Sequence, residues 1–98
     1  MLILPIKKHW FDLIASGEKK EEYRELGPYW STRFTPLFGA DFPPAEAEKT
    51  VLLRNGYGKT RPTLRCRCSL RIGEGRPEWG AVPGRIYYVL QIQEVKTE

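Results

Sequence analysis

The 98-residue chain holds one histidine, two cysteines and one methionine, and none of its apolar runs approaches the roughly 20 residues of a transmembrane helix. Each scarcity removes a class of function. A single histidine, His9, cannot furnish a two-histidine ribonuclease site, and no Ser/His/Asp triad assembles around it. Two cysteines cannot build a multi-bridge disulfide framework. Cys66 and Cys68 stand one residue apart with His9 remote, which does not complete a zinc site, so neither a metal nor any other cofactor is expected. There is no low-complexity segment and no internal repeat. The opening MLILPIKKHW puts its apolar residues ahead of its lysines, and no cleavage-site pattern follows. A secretory signal is therefore not expected; the default location is cytoplasmic, with no membrane partner.

What the chain does hold is an uneven charge. Its 16 basic and 12 acidic residues give a net +4, but residues 1–49 carry seven basic and eight acidic groups while residues 50–98 carry nine and four. From Arg54 to Arg76 there are seven cations (Arg54, Lys59, Arg61, Arg65, Arg67, Arg71, Arg76) and one anion, Glu74. A uniformly solvating coat would not segregate in this way, and the segregation points to an anionic partner. The length suits one domain over 1–98, and 41% apolar residues with a mean hydropathy of −0.48 allow a modest core.

Patterning along the chain predicts a small β-rich domain. Leu2–Lys7 reads as a terminal or edge strand because Pro5 lacks an N–H for a ladder. Trp10, Leu13 and Ile14 recur at helical spacing, giving a helix over 8–16 with Gly17 as its left-handed cap. Lys20–Leu26 reads as a strand with Lys20, Glu22 and Arg24 on one face and Glu21, Tyr23 and Glu25 on the other. Within Gly27–Lys49, Pro28 suits the first position of a short helix reaching about Phe34. The rest, with Pro36, Phe38, Phe42, Pro43 and Pro44, reads as a long loop, either functional or a lid over the core. Thr50–Arg54 is a strand that ends in the turn signal Asn55-Gly56-Tyr57-Gly58. Over Thr63–Ile72, Leu64, Cys66, Cys68, Leu70 and Ile72 form an apolar face against Arg65, Arg67 and Arg71, so both thiols are expected buried and reduced. Gly73–Pro77 breaks this strand. Ile86–Val95 is the last strand, with Ile86, Tyr88, Leu90 and Ile92 inward. The absence of βαβ alternation leads to an α+β, mostly β fold: a small antiparallel barrel of about five strands with one or two short helices.

The stretch Gly17-Glu18-Lys19-Lys20-Glu21-Glu22-Tyr23-Arg24 fits G-x-K-x-x-E-x-R directly after an amphipathic helix. In this setting it resembles the signature of the ASCH domain, of the PUA-like β-barrel superfamily. The opening LPIK strand, the FDLIASG helix, Asn55-Gly56-Tyr57, Pro77-Glu78-Trp79-Gly80 and the closing Ile86–Val89 strand are similar to small single-domain members of bacterial and prophage type. The resemblance implies a PUA-like barrel with a cleft lined by the motif residues, binding RNA or nucleotides; some members are credited with RNA cleavage or with hydrolysis of an acylated cytidine nucleoside. Where those amidohydrolase-type members have Thr, this chain has Glu22, which removes the hydroxyl nucleophile and argues against deacylation.

Read by their chemistry alone, Lys19, Glu22 and Arg24 make a compact cluster of net +1. Arg24 would clamp a phosphate or carboxylate, Glu22 would orient Arg24 or accept from a base amino group, and a desolvated Lys19 would act as an acid/base group. The alternative is a surface ion pair worth about 0–1 kcal/mol. Arg65, Arg67 and Arg71 are led by Arg54, Lys59 and Arg61, and cations at i and i+2 on a strand lie ~6–7 Å apart, close to a phosphate spacing. The alternative is a solvated face, disfavoured because three arginines without acidic neighbours repel one another. Tyr57, Trp79 and Tyr87 would stack on unpaired bases, and Asn55 would read a base edge, unless Asn55-Gly56 is simply a turn. The expected function is RNA or nucleotide binding through Arg24, Asn55, Tyr57, Lys59, Arg65, Arg67, Arg71 and Trp79. The alternatives are a hydrolase of RNA or a modified nucleoside using Lys19 and Glu22, and a module docking an acidic protein.

Overall fold

Five strands and two helices follow one another as β1 (Ile3–Ile6), α1 (Lys8–Ala15), β2 (Glu21–Glu25), α2 (Pro28–Phe38), β3 (Lys49–Asn55), β4 (Thr63–Glu74) and β5 (Ile86–Thr97), with a 3₁₀ turn at Pro77–Trp79. The computed structural model describes residues 1–39 and 47–98; residues 40–46, which include Phe42, Pro43 and Pro44 of the expected loop, lie outside the described residues. The strands form one sheet in the order β1-β3-β4-β5-β2, parallel between β1 and β3 and antiparallel elsewhere. This is the expected mostly β, α+β domain, with the sheet curled into a half-barrel. β1 takes an edge, as Pro5 requires, and β2 takes the other.

The alternating pattern of β4 holds over most of its length. Leu64, Cys66, Cys68 and Leu70 are buried in the main core with Leu4, Val51, Leu53, Leu90 and the α2 residues Phe34 and Phe38. A bulge keeps β5 in phase with it. Arg67 pairs with Glu94 but Cys68 with Ile92, which leaves Gln93 as the extra residue. The inward set Tyr88, Leu90 and Ile92 then passes to Val95, and Glu94 stays outside.

Three expectations are corrected. Helix α2 runs on to Phe38 through Pro36 and does not end near Phe34. Phe34 and Phe38 lie one turn apart and are 0% and 8% exposed, so their burial at roughly 1.5–3 kcal/mol each offsets the hydrogen bond that Pro36 cannot make. Strand β4 continues to Glu74, because Gly73 and Glu74 still pair with Tyr87 and Ile86. Ile72 and Ile86, placed inward by pattern, are 41% and 45% exposed at the end of the ladder, outside the core cluster.

A second, smaller cluster lies on the opposite face of β5. Tyr23, Ala81, Tyr87 and Val89 pack there with Trp79 against them, so the first half of β5 is buried on both faces. The β4–β5 connection is pinned onto this cluster by its polar edges. The Arg76 amide donates to the Tyr23 hydroxyl at 2.9 Å and the Val82 amide to the Tyr87 hydroxyl at 3.0 Å. That pinning carries Trp79 toward α1.

Burial pushes the Cys66 thiol up to about 12 and the Cys68 thiol higher still. Both side chains are wholly shielded in the core. In the folded protein at pH 8 neither thiol should react with a disulfide reagent on the timescale of a free cysteine, whereas both should react in denaturant. Rapid native labelling would show that the β4 face is not packed as described.

Candidate functional site

The register of β2 on β5 sets Glu22 opposite Leu90 and Arg24 opposite Tyr88, so both charged side chains point to the side of the sheet that holds the core. They can do so because β2 is an edge strand and the half-barrel is open there. Gly17, at φ +85°, turns the chain out of α1, and the Lys19 amide is tied to the Leu13 carbonyl at 3.0 Å. Lys19 thus enters the seam from the helix side while Glu22 and Arg24 enter from the strand.

The three charges form a chain. Lys19 Nζ is 3.0 Å from Glu22 Oε1, and Arg24 Nη1 is 2.8 Å from Glu22 Oε2. Lys19 spends its remaining donors on the Trp79 carbonyl at 2.5 Å and on the face of Trp10, whose centroid lies 4.2 Å away. Its side chain is 1% exposed, that of Glu22 is 7% and that of Arg24 is 15%. Burial lowers the proton affinity of Lys19 below its ordinary value, opposed by the Glu22 carboxylate. Arg24 bridges the two edges of the sheet, donating from Nη1 to the Tyr23 carbonyl at 2.7 Å and from Nη2 to the Pro5 carbonyl of β1 at 3.0 Å. Its Nε–H and one Nη2–H have no partner among the described residues.

Above this trio lies a cleft of about 260 Å³ walled by Trp10, Trp79, Gly80, Tyr87, Pro5 and Lys7. Gly80 has φ +100°, and a Cβ there would come within 2.9 Å of the Trp10 ring. The wall therefore needs glycine both for its backbone and for the closeness of the indole. Net +1 at the floor and indoles at the sides suit an anion that carries a planar ring.

The structure brings together Lys19, Glu22, Arg24 and Trp79, with Tyr87 alongside. It does not bring the remaining predicted residues to them. Arg65, Arg67 and Arg71 project from the outer face of β4, and the expectation that they lack acidic neighbours is corrected. Arg65 pairs with Glu98 at 3.1 Å, Arg67 with Glu48 at 2.5 Å and Glu94 at 3.1 Å, and Arg71 with Glu21 at 3.1 Å. These carboxylates come from β2, β5, the residue before β3 and the last residue, Glu98, where sequence proximity could not show them. Asn55 uses its side chain structurally: its amide nitrogen donates to the Ile6 carbonyl at 3.3 Å and its oxygen accepts from Arg61 at 3.2 Å. Tyr57 and Lys59 are exposed on the same turn. Trp10 and Pro5 were legible in sequence only as a core-facing helix residue and the mark of an edge strand; both line the cleft. Among the described residues no three metal-ligating side chains lie together.

Compared with family models, with curated proteins and with solved structures, the chain gave no match.

Replacing Glu22 by Gln leaves two buried cations without their shared anion. Glu22→Gln should cost about 3–5 kcal/mol in urea unfolding, whereas Arg65→Gln, at an exposed pair, should cost about 1 kcal/mol or less. Similar costs at the two positions would mean that the trio is not buried as a unit.

Proposed function

We propose that the chain is an RNA- or nucleotide-binding domain, ASCH-like in its motif, whose cleft takes a phosphate or base on Arg24. The observation that carries this reading is the state of the three charges at the cleft floor. Lys19 and Glu22 satisfy each other in near-complete burial and hold Arg24 with two N–H donors still unspent. A guanidinium fixed in this way has paid its ordering entropy before any ligand arrives. Trp10 and Trp79 supply ring faces for a base, and stacking of this kind is sequence-tolerant. Lys7 in the cleft wall and Arg76, 5.0 Å over the ring of the wall residue Trp79, have no carboxylate partner among the described residues. An acidic peptide would use these cations but leave the indole faces unused.

A second reading, a hydrolase of RNA or of a modified nucleoside, is favoured by the lowered proton affinity of Lys19 3.0 Å from Glu22. Against it stands the geometry, since both groups are covered and each is spent on the other. Incubating wild type and Lys19→Ala with RNA and with an acylcytidine separates the readings; unchanged substrates with wild type remove the hydrolase.

Binding is tested by tryptophan fluorescence during titration with single-stranded RNA. With contacts from about three cations, affinity should fall roughly 20-fold between 50 and 200 mM salt. Arg24→Lys, which keeps the charge and loses the fork, should weaken binding about tenfold. It also gives up hydrogen bonds to the Tyr23 and Pro5 carbonyls and should lower the urea midpoint, so affinities are compared in buffer where both proteins are fully folded. No detectable binding at low salt, or equal affinity for wild type and Arg24→Lys, would remove the cleft as an RNA site.

A further inference from the structure

We propose that the groove beside the cleft, between α2, β1 and the β3–β4 turn, is a second nucleotide subsite that takes the adjoining base and phosphate of a single RNA strand. This rests on the cleft being an RNA site and extends it along the seam of the half-barrel.

The groove has a volume of about 430 Å³, within the range of small-molecule sites, and is lined by Tyr29, Trp30, Arg33, Arg54, Tyr57 and Pro5, among others, with no carboxylate among its lining residues. Two of its rings stand in water: Tyr57 is 85% exposed and Tyr29 is 60% exposed. Large aromatics left open on either side of one concavity are poor for solubility and good for gripping a flat ring.

Its cations differ from those of the β4 face. Arg33 Nη1 donates to the Tyr29 carbonyl at 2.6 Å, and the guanidinium lies 3.5 Å from the Tyr29 ring centroid. Arg54 Nε donates to the Thr63 hydroxyl at 3.0 Å. Each contact orients a guanidinium and neutralises nothing, and neither arginine has a carboxylate partner among the described residues. Arg65, Arg67 and Arg71 all do. Unpaired cations are thus found in the groove, whereas the arginines that β4 contributes to the basic run of the sequence are paired.

The groove and the cleft adjoin at Pro5. Pro5 lines both, and Trp30 lies between their arginines, with Arg24 5.2 Å from its ring centroid and Arg33 5.9 Å. A strand leaving the cleft would meet Arg24, the Trp30 indole, Arg33 and then the two tyrosines. Cations alternating with rings match a chain in which phosphates alternate with bases. A polyanionic peptide would match the cations alone.

The test uses the full chain with an eight-nucleotide single-stranded RNA and, in parallel, polyglutamate, titrating wild type, Arg24→Lys, Tyr57→Ser and Arg33→Ser. Tyr57 and Arg33 are exposed, so both variants should keep the wild-type urea midpoint. Each should lose about tenfold in affinity for the RNA, and Arg33→Ser should also show a shallower salt dependence. If wild type binds the RNA and Arg24→Lys weakens it while both groove variants bind normally, the groove is overturned and the cleft stands. If the groove variants weaken binding and Arg24→Lys does not, the groove stands and the cleft falls. No RNA binding by wild type overturns both. Loss of polyglutamate binding in Arg33→Ser with normal RNA binding in Tyr57→Ser overturns RNA as the occupant in favour of an acidic peptide.

Discussion

Glu22 holds two cations at once in a space that water barely reaches, with Lys19 at 3.0 Å on one carboxylate oxygen and Arg24 at 2.8 Å on the other. The rest of the seam is organised by that carboxylate. Through Lys19 it reaches the Trp79 carbonyl and so fastens the long β4–β5 connection against α1. Through Arg24 it reaches the Pro5 carbonyl and spans the gap between the two edge strands. A half-barrel leaves unpaired backbone at its edges, which is a liability in solution. Here one guanidinium covers part of it, and the same guanidinium forms the floor of a cleft.

Such a trio is a costly way to hold a fold together. Desolvating charges consumes much of what their attraction returns, and an apolar core of equal volume would often be at least as stable. The fold has apolar material nearby in plenty: Leu4, Ile6, Leu90 and Tyr88 all lie in the adjoining core. A net positive cluster, largely covered at the cleft floor, fits the proposed role of a preset electrostatic surface better than that of a structural bond alone. Its neighbour Tyr23 follows the same logic in neutral form. The Tyr23 hydroxyl donates to Glu21 at 2.8 Å and accepts from the Arg76 amide, and burial keeps it protonated well above the usual phenol range.

Much of the fold was legible in the residues because the relevant physics is local. The 3.6 spacing in α1, the glycine that turns the chain at residue 17, Pro28 at a helix start and the two-residue alternation of β4 each follow from a few adjacent positions. Errors appeared where distant packing overrode a local rule. Pro36 sits inside a helix because Phe34 and Phe38 anchor it in the core. Ile72 and Ile86 continue an apolar pattern past the point where anything covers them. The candidate site divides in the same way. Lys19, Glu22 and Arg24 lie within six residues and could be grouped by their motif, and Trp79 came with them. The arginines of β4 looked bare because Glu21, Glu48, Glu94 and Glu98, which neutralise them, are brought alongside only by the sheet.

Sequence alone determined that this is a small, mostly β domain of net charge +4, with its thiols on an apolar strand face and a charged motif at a helix-to-strand turn. Those properties depend on counts and on spacings of two to four residues. Only the tertiary structure decided which charges are free and which are spent. It paired off the arginine strand, buried the motif lysine against Glu22, which also holds Arg24, and left Arg33 and Arg54 without a carboxylate partner among the described residues. Electrostatic pairing acts over a few ångströms in space and takes no account of distance along the chain. Where a net charge can act is therefore a property of the fold.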